Sequence, residues 1–287
     1  MKYVEPLFRP PAEANSLIFQ VAYGCPHNQC KFCGMYKGVR YRLRNCEEVL
    51  TEIAEAGQQY PTARRIFLAD GDVMALPFER LTLYLEAIRA VFPQLARVNS
   101  YANGSSIASK SFSQLKALRA LQLNTLYLGL ESGSQTVLDL FGKTESVEEM
   151  ISAVTRVQSL GFRCSVMILL GLGGKVLRSE HISKTVETLN RMQPRLLSAL
   201  RYIPIPGMPG PCGYEPVSEY EAVEELREIL AKVKLEQTVF RANHSSNPFP
   251  LGGRFPADQA RLIAELDIEL RSGNLDRRGP GRMPLFL

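Results

Sequence analysis

No run of apolar residues in this chain approaches the length of a membrane span; crossing a bilayer as a helix takes about 20 of them, so insertion is not expected. No secretory leader is legible at the start. Six cysteines spread over 287 residues are too dilute for a disulfide scaffold, and the expected setting is reducing and cytoplasmic. Charge of neither sign dominates: 34 Lys and Arg against 29 Asp and Glu leave a formal net charge of +5. That mild excess suits an anionic substrate and falls short of a nucleic-acid footprint. Beyond Cys212 there is no further cysteine, and no internal repeat is visible apart from one described next. What is present is ordinary for a soluble globular chain, 45% apolar and 22% charged, and long enough to bury a full core.

Strand-like apolar runs alternate with amphipathic stretches from about residue 16 to 203. The runs are 17–23, 65–69, 97–101, 125–130, 163–170 and 197–203; the stretches are 47–59, 77–92, 111–121, 147–160 and 180–192. Each stretch carries one apolar face at helical spacing. Polar caps mark the starts: Asn45 before Glu47 and Glu48, Ser111 before Phe112, and Ser146 with Glu149 three residues on, while Gly161 closes its helix. Six strand–helix repeats predict an α/β fold with a parallel sheet, either open and doubly wound or curved into a partial barrel. Polar and glycine-rich segments fall just after five strand ends, which favours a partial (β/α)6 barrel with its site on that face. The expected division is a lead-in over 1–15, a core over 16–205 and a C-terminal extension over 206–287. The strand–helix register breaks at a loop with Pro204, Pro206, Pro209 and Pro211, where that extension begins. It continues with a helix over 218–236, a polar irregular segment over 240–254 and a last helix over 256–271, and ends in a basic tail with Arg277, Arg278 and Arg282.

The first of those strand ends carries Cys25, Cys30 and Cys33, a C-x4-C-x2-C triplet on one short loop. Such a thiolate claw suits an iron–sulfur cluster, and three local ligands leave one iron of a four-iron cluster open to react. A structural zinc site wants a closed set of four, for which His27 is the local choice. His27 lies inside the loop rather than in a second ligand pair, which weighs against zinc. Cys46, Cys164 and Cys212 are scattered, and Cys164 reads as a small apolar core residue.

With these residues in view, the chain resembles the radical S-adenosylmethionine (SAM) superfamily over residues 16–205. The family pattern has a C-x3-C-x2-C triplet after the first strand of a partial (β/α)6 barrel; here the first spacing is one residue longer. The resemblance implies a 4Fe–4S cluster on Cys25, Cys30 and Cys33, SAM as second cofactor, and Phe32 near the adenine. Asp70-Gly71-Asp72 sits where relatives bind the methionine amino group, and Asn103 follows the third strand. Glu131-Ser132 matches the fourth-strand motif for ribose or the methionine end. Leu169 and Gly171 match the fifth-strand stretch beside adenine, although Lys175 stands where many relatives have an acid. Arg201 is a candidate partner for the SAM carboxylate.

The implied chemistry is reductive cleavage of SAM to a 5′-deoxyadenosyl radical that abstracts hydrogen from an organic substrate, with a flavodoxin or ferredoxin as electron donor. Substrate contacts are expected from Tyr36, Lys37 and Arg40 after the cysteine loop, a basic-aromatic stretch that also includes Arg42. Others are expected from Asn243, His244 and Asn247 in the extension. A small molecule is the expected substrate, and tRNA or a peptide is the alternative within the class. A non-catalytic iron–sulfur or haem carrier on the same fold is the alternative outside it. With 24 residues before Cys25 and no cysteine-rich C-terminus, no cysteine-rich N-terminal domain, separate cobalamin domain or auxiliary cluster is expected.

Overall fold

The structure is a computed structural model that describes residues 3–204, 207–208 and 210–281; Pro206, Pro209 and Arg282 of the reading above lie outside them. The chain divides into two compact units. The first comprises Met1–Asn28, Cys33–Leu128 and Ser152–Cys164, and the second Gln29–Phe32, Gly129–Ile151 and Ser165–Leu287.

Strands of the first unit are β1 (Leu17–Gln20), β2 (Ala22–Tyr23), β3 (Arg42–Leu43), β4 (Arg65–Ala69), β5 (Arg97–Tyr101) and β6 (Leu123–Glu131), the last passing into the second unit after Leu128. β1, β4, β5 and β6 lie side by side in that order and all pair in parallel. Parallel pairing demands a crossover between neighbours. It is supplied by α1 (Cys46–Gln59), α2 (Phe78–Val91) and the shorter α3 (Gly104–Ala108) and α4 (Phe112–Ala120). β4 reads RIFLA and buries four of its five residues, the near-continuous apolar run of a strand covered on both faces. α1 starts where the Asn45 side chain accepts the N–H groups of Glu47 and Glu48, and turns Val49, Ile53 and Ala56 inward. α4 starts on a reciprocal cap between Ser111 and Gln114, so both predicted starts are met. β2 and β3 pair antiparallel, Ala22 with Leu43 and Tyr23 with Arg42, and thereby close segment 24–41 at its base.

The second unit holds the last residues of β6, then β7 (Arg163–Leu170, from Ser165), β8 (Leu196–Arg201), β9 (Val239–Ala242) and β10 (Leu251–Arg254) in that order. Its helices are α5 (Gln135–Leu140), the first turn of α6 (Val147–Ser159), α7 (Arg178–Met192), α8 (Glu219–Lys232) and α9 (Gln259–Ser272). β8 and β9 pair in parallel across α8, and β10 returns antiparallel to β9. The expectation of an irregular segment over 240–254 is thus corrected. These strands have four residues each and β10 contains Gly252 and Gly253, so their pairing comes from a neighbouring strand rather than from a side-chain pattern. α8 starts on a capping box between Ser218 and Glu221, and its buried side is Glu219, Ala222, Val223, Glu225, Leu226, Ile229 and Leu230. Two members of that side, Glu219 in the first turn and Glu225 within the apolar stripe, are carboxylates. Taken together, parallel strands alternate with helices as the α/β reading required.

Candidate functional site

In the first unit the site residues gather at the C-terminal ends of β2, β4 and β5. Asp70, the residue after β4, is buried. Its Oδ1 accepts the Tyr36 hydroxyl, and its Oδ2 accepts Gln20 Nε2 at 3.1 Å and the Gly24 N–H at 3.2 Å. Burial raises its pKa, and these three donors oppose the rise. Gly24 precedes Cys25 and Tyr36 follows Cys33, so a single carboxylate ties both flanks of the cysteine loop. Gly71 completes the seat: its N–H donates to Gly24 O at 3.2 Å, and a Cβ there would stand 2.7 Å from that of Cys25. Only a residue with no side chain lets the backbones approach so closely.

Asp72, also buried, accepts the Ser106 hydroxyl at 2.9 Å and Asn103 Nδ2 at 3.2 Å, with His27 Nε2 3.8 Å away. Asn103, which follows β5, therefore sits with Asp72. Lys110 Nζ binds the carbonyls of Met74 and Leu76 at 2.7 and 2.9 Å and fixes the turn that follows. Tyr101, packed edge-on to Phe67, has its hydroxyl pKa raised by burial, with further upward pushes from Asp70, Glu13 and Cys33.

The structure corrects one substrate assignment here. Tyr36 is buried, its hydroxyl given to Asp70, because its ring packs edge-on to Phe8 and needs an internal acceptor. Lys37 Nζ is bound to the Asn28 carbonyl at 2.9 Å inside the loop itself. Arg40 is exposed.

In the second unit, Cys30 and Phe32 lie on the short piece Gln29–Phe32. Lys31 anchors it, its N–H donating to Phe141 O at 2.8 Å and its Nζ to Leu140 O at 3.2 Å. Phe32 packs against Phe141, which meets Tyr202 and Tyr214 edge-on, and Leu169 joins the same apolar cluster. Tyr214 then donates to the Gly171 carbonyl at 2.7 Å.

Glu131 ends β6 in the left-handed region, φ 67°, a conformation that costs a non-glycine residue of order 1 kcal/mol and clusters at functional sites. Its side chain folds over Gly129, where a Cβ would stand 1.8 Å from Glu131 Oε1. Oε2 is buried with no hydrogen-bond partner among the described residues. Burial pushes the carboxyl up to about 7, against the pull of Lys143. Lys143 is itself buried, paired with Glu145 at 3.1 Å, and close enough to Cys30 to respond to its charge.

Ser132 Oγ lies 2.7 Å from His181 Nδ1 on α7, and His181 Nε2 lies 3.2 Å from Glu225 Oε1 on α8. The same Glu225 oxygen accepts the Gly171 N–H at 2.7 Å. Lys143, His181, Tyr214 and Glu225 escaped the sequence reading. A glutamate on the apolar stripe of α8 was the one signal that pointed to Glu225.

Arg201, assigned above to a ligand carboxylate, is buried and engaged within the protein. Nε donates to Ser246 O at 2.8 Å, and Nη1 to Pro280 O at 2.7 Å and Glu219 Oε1 at 3.4 Å. A guanidinium taken out of water needs acceptors, and here residues of the extension provide three. The 243–247 segment has a matching part. Ser246 Oγ accepts the Arg201 N–H at 3.0 Å and stands 2.9 Å from His244 Nδ1, and Asn247 Nδ2 binds Ala199 O at 2.9 Å. Asn243 is exposed.

Cys25 and Cys33 belong to the first unit and Cys30 to the second. Among the described residues no cysteine is in a disulfide, and no three His, Cys, Asp or Glu side chains are grouped closely enough to hold a metal ion. The donor chemistry nonetheless suits an iron–sulfur cluster: three soft thiols on a loop fastened at both flanks. The orphaned Glu131 oxygen suits a ligand that brings hydroxyl or ammonium donors.

A model of the radical SAM superfamily matches residues 19–187. A haem chaperone of Bacillus subtilis is 24% identical over 143 residues, 50% of this chain and 37% of that protein. Coproporphyrinogen III oxidase from Escherichia coli, a radical SAM enzyme, shares the fold with a TM-score of 0.56 at 16% identity, over 75% of this chain and 51% of that one. The radical SAM methyltransferase TsrM from Kitasatospora setae, solved with cobalamin and a [4Fe-4S] cluster, gives 0.55 at 17% identity over 82% and 44%. The chain thus spans between a third and about half of each of these proteins. No helix among the described residues is long and apolar enough to cross a membrane. With the family model covering more than half its length, the chain belongs to the radical SAM superfamily.

Proposed function

We propose that this protein is a radical SAM enzyme that acts on an organic substrate, holding a 4Fe–4S cluster through Cys25, Cys30 and Cys33 and SAM beside it. When bound, the two cofactors supply one-electron cleavage of a carbon–sulfur bond and a 5′-deoxyadenosyl radical that takes a hydrogen atom from the substrate. One observation supports this reading above others: Asp70 binds both Gly24 and Tyr36, so the loop that carries the thiols is built to hold a shape.

The chain's own residues then have distinct tasks. Asp70 and Asp72, their oxygens engaged by protein donors, orient the loop and the turn after β4. Glu131 offers a desolvated acceptor, and its neighbours Ser132, Leu169 and Gly171 line the nucleotide. Phe32 and the Phe141 cluster exclude water, which strengthens every polar contact made there. An electron must arrive from outside, which a flavodoxin or ferredoxin would deliver. The extension over 206–287 acts as a cap whose inner end is tied to Arg201.

Anaerobic protein reconstituted with iron and sulfide, then given SAM and dithionite, should release 5′-deoxyadenosine. Deuterium entering that product from labelled candidates would identify the substrate. The match to a haem chaperone favours a second reading, a haem or cluster carrier. Iron-loaded protein that binds haem and releases no 5′-deoxyadenosine would establish it instead.

A further inference from the structure

Two turns of the second unit, 131–134 after β6 and 171–174 after β7, are held from behind by the same pair of buried side chains. His181 and Glu225 are both fully buried. The Ser132 hydroxyl accepts the Ser134 N–H at 3.0 Å and faces His181 Nδ1 at 2.7 Å. When the hydroxyl donates to Nδ1, the ring N–H stands on Nε2, 3.2 Å from Glu225 Oε1 in a close polar contact that is not an aligned hydrogen bond, since Nε2 has no hydrogen-bond partner among the described residues. Glu225 Oε1 closes the chain on the Gly171 N–H. Its other oxygen has no hydrogen-bond partner among the described residues and faces Arg178 Nε at 4.0 Å.

The glycines of both turns show how close α7 comes. A Cβ on Gly133 would stand 2.2 Å from Lys184 O, and one on Gly173 would stand 2.7 Å from His181 Cβ. The Gly133 N–H also donates to Thr185 Oγ1 at 2.9 Å. Backbone lies on helix, and the polar chain fixes the register.

We propose that His181 and Glu225 form a single positioning unit that sets the two nucleotide-holding turns relative to each other. Helix α8, which lies beyond the region matched by the family model, is thereby part of the cofactor site. This rests on those turns being the ones that hold SAM. Neither residue touches the ligand; each acts through Ser132 or Gly171. Burying a carboxylate at this place is costly without such a task, since a leucine would complete the α8 stripe.

The test uses full-length, anaerobically reconstituted protein with three substitutions: Glu225→Gln, His181→Gln and, as a control at an exposed position of α8, Lys232→Gln. Iron and sulfide content, melting temperature, SAM dissociation constant by equilibrium dialysis, and the change that SAM causes in the reduced-cluster resonance spectrum are measured for each. Glu225→Gln and His181→Gln should keep their iron yet bind SAM about ten- to a hundred-fold more weakly, with a smaller spectral change. Lys232→Gln should match the wild type. A purely structural role would lower the melting temperature and leave the dissociation constant unchanged, which overturns the proposal. If one of the two variants fails to fold, the other carries the same decision. Iron-loaded wild type that binds no SAM would instead overturn the functional reading beneath it.

Discussion

The Tyr36 hydroxyl donates to Asp70 Oδ1, while Oδ2 of the same carboxylate accepts the N–H of Gly24. Eleven positions separate Cys25 from Tyr36, and the bond therefore fastens the far flank of the cysteine loop to the end of β4. Removing the hydroxyl leaves a buried carboxylate short of a donor, which costs about 1–3 kcal/mol. Tyr36→Phe should lower the unfolding free energy by that amount in urea titrations and reduce the iron bound per chain after reconstitution. Asp70→Asn should do more, because it weakens both flanks at once. Full iron uptake in both variants would show that the loop does not need its anchor.

A related outcome concerns the thiols themselves. Replacing Cys25, Cys30 or Cys33 by alanine should abolish the brown absorbance of reconstituted protein, whereas Cys46→Ala and Cys212→Ala should preserve it. Metal binding gathers ligands that the unliganded chain need not hold in place, so the three single variants should fail alike. Retention of colour by Cys30→Ala would remove the cluster assignment.

Parts of the fold and of the candidate site are legible in the sequence, and the reasons differ by residue. Asn45, Ser111 and Ser146 announced their helices because capping is local chemistry within four residues. Cys25, Cys30 and Cys33 stand out as candidate ligands because metal ligation constrains residue type and spacing together. Tyr36 and Arg201 were misread because a polar side chain says nothing about which way it faces. Their acceptors, Asp70 and the Ser246 carbonyl, lie 34 and 45 residues away. Similarly, β9 and β10 are strands by virtue of their neighbours, and no four-residue pattern encodes that. His181 and Glu225 were hidden for the same cause, one on each of two helices.

Cys164 provides a contrast with the loop thiols. It is fully buried in β7, and burial pushes its thiol up to about 12. Only the thiolate is nucleophilic, so at pH 8 Cys164 should resist iodoacetamide in the native protein and react once urea unfolds it. Peptide mass spectrometry of native and denatured samples reads this directly. Native-state labelling of Cys164 would mean that β7 opens far more often than its burial implies.

Glu131 links strain, electrostatics and pH. Burial raises its carboxyl from an ordinary value near 4.5 to about 7. Below pH 4.5 the group is neutral in both the folded and unfolded chain and costs nothing. Between 4.5 and 7 the unfolded chain loses the proton while the folded chain keeps it, so stability falls as pH rises, by about 1.4 kcal/mol per unit. Above pH 7 the carboxylate is ionised in both states, and the accumulated penalty, about 3 kcal/mol, stays constant. Glu131→Gln removes the titration while keeping size and shape. The unliganded variant should therefore match or trail the wild type at pH 4.5 and gain on it steadily up to pH 7, in paired urea titrations. Parallel stability curves for the two proteins would show that Glu131 is solvated in solution. In that case it would be no better an acceptor for a ligand than any surface glutamate.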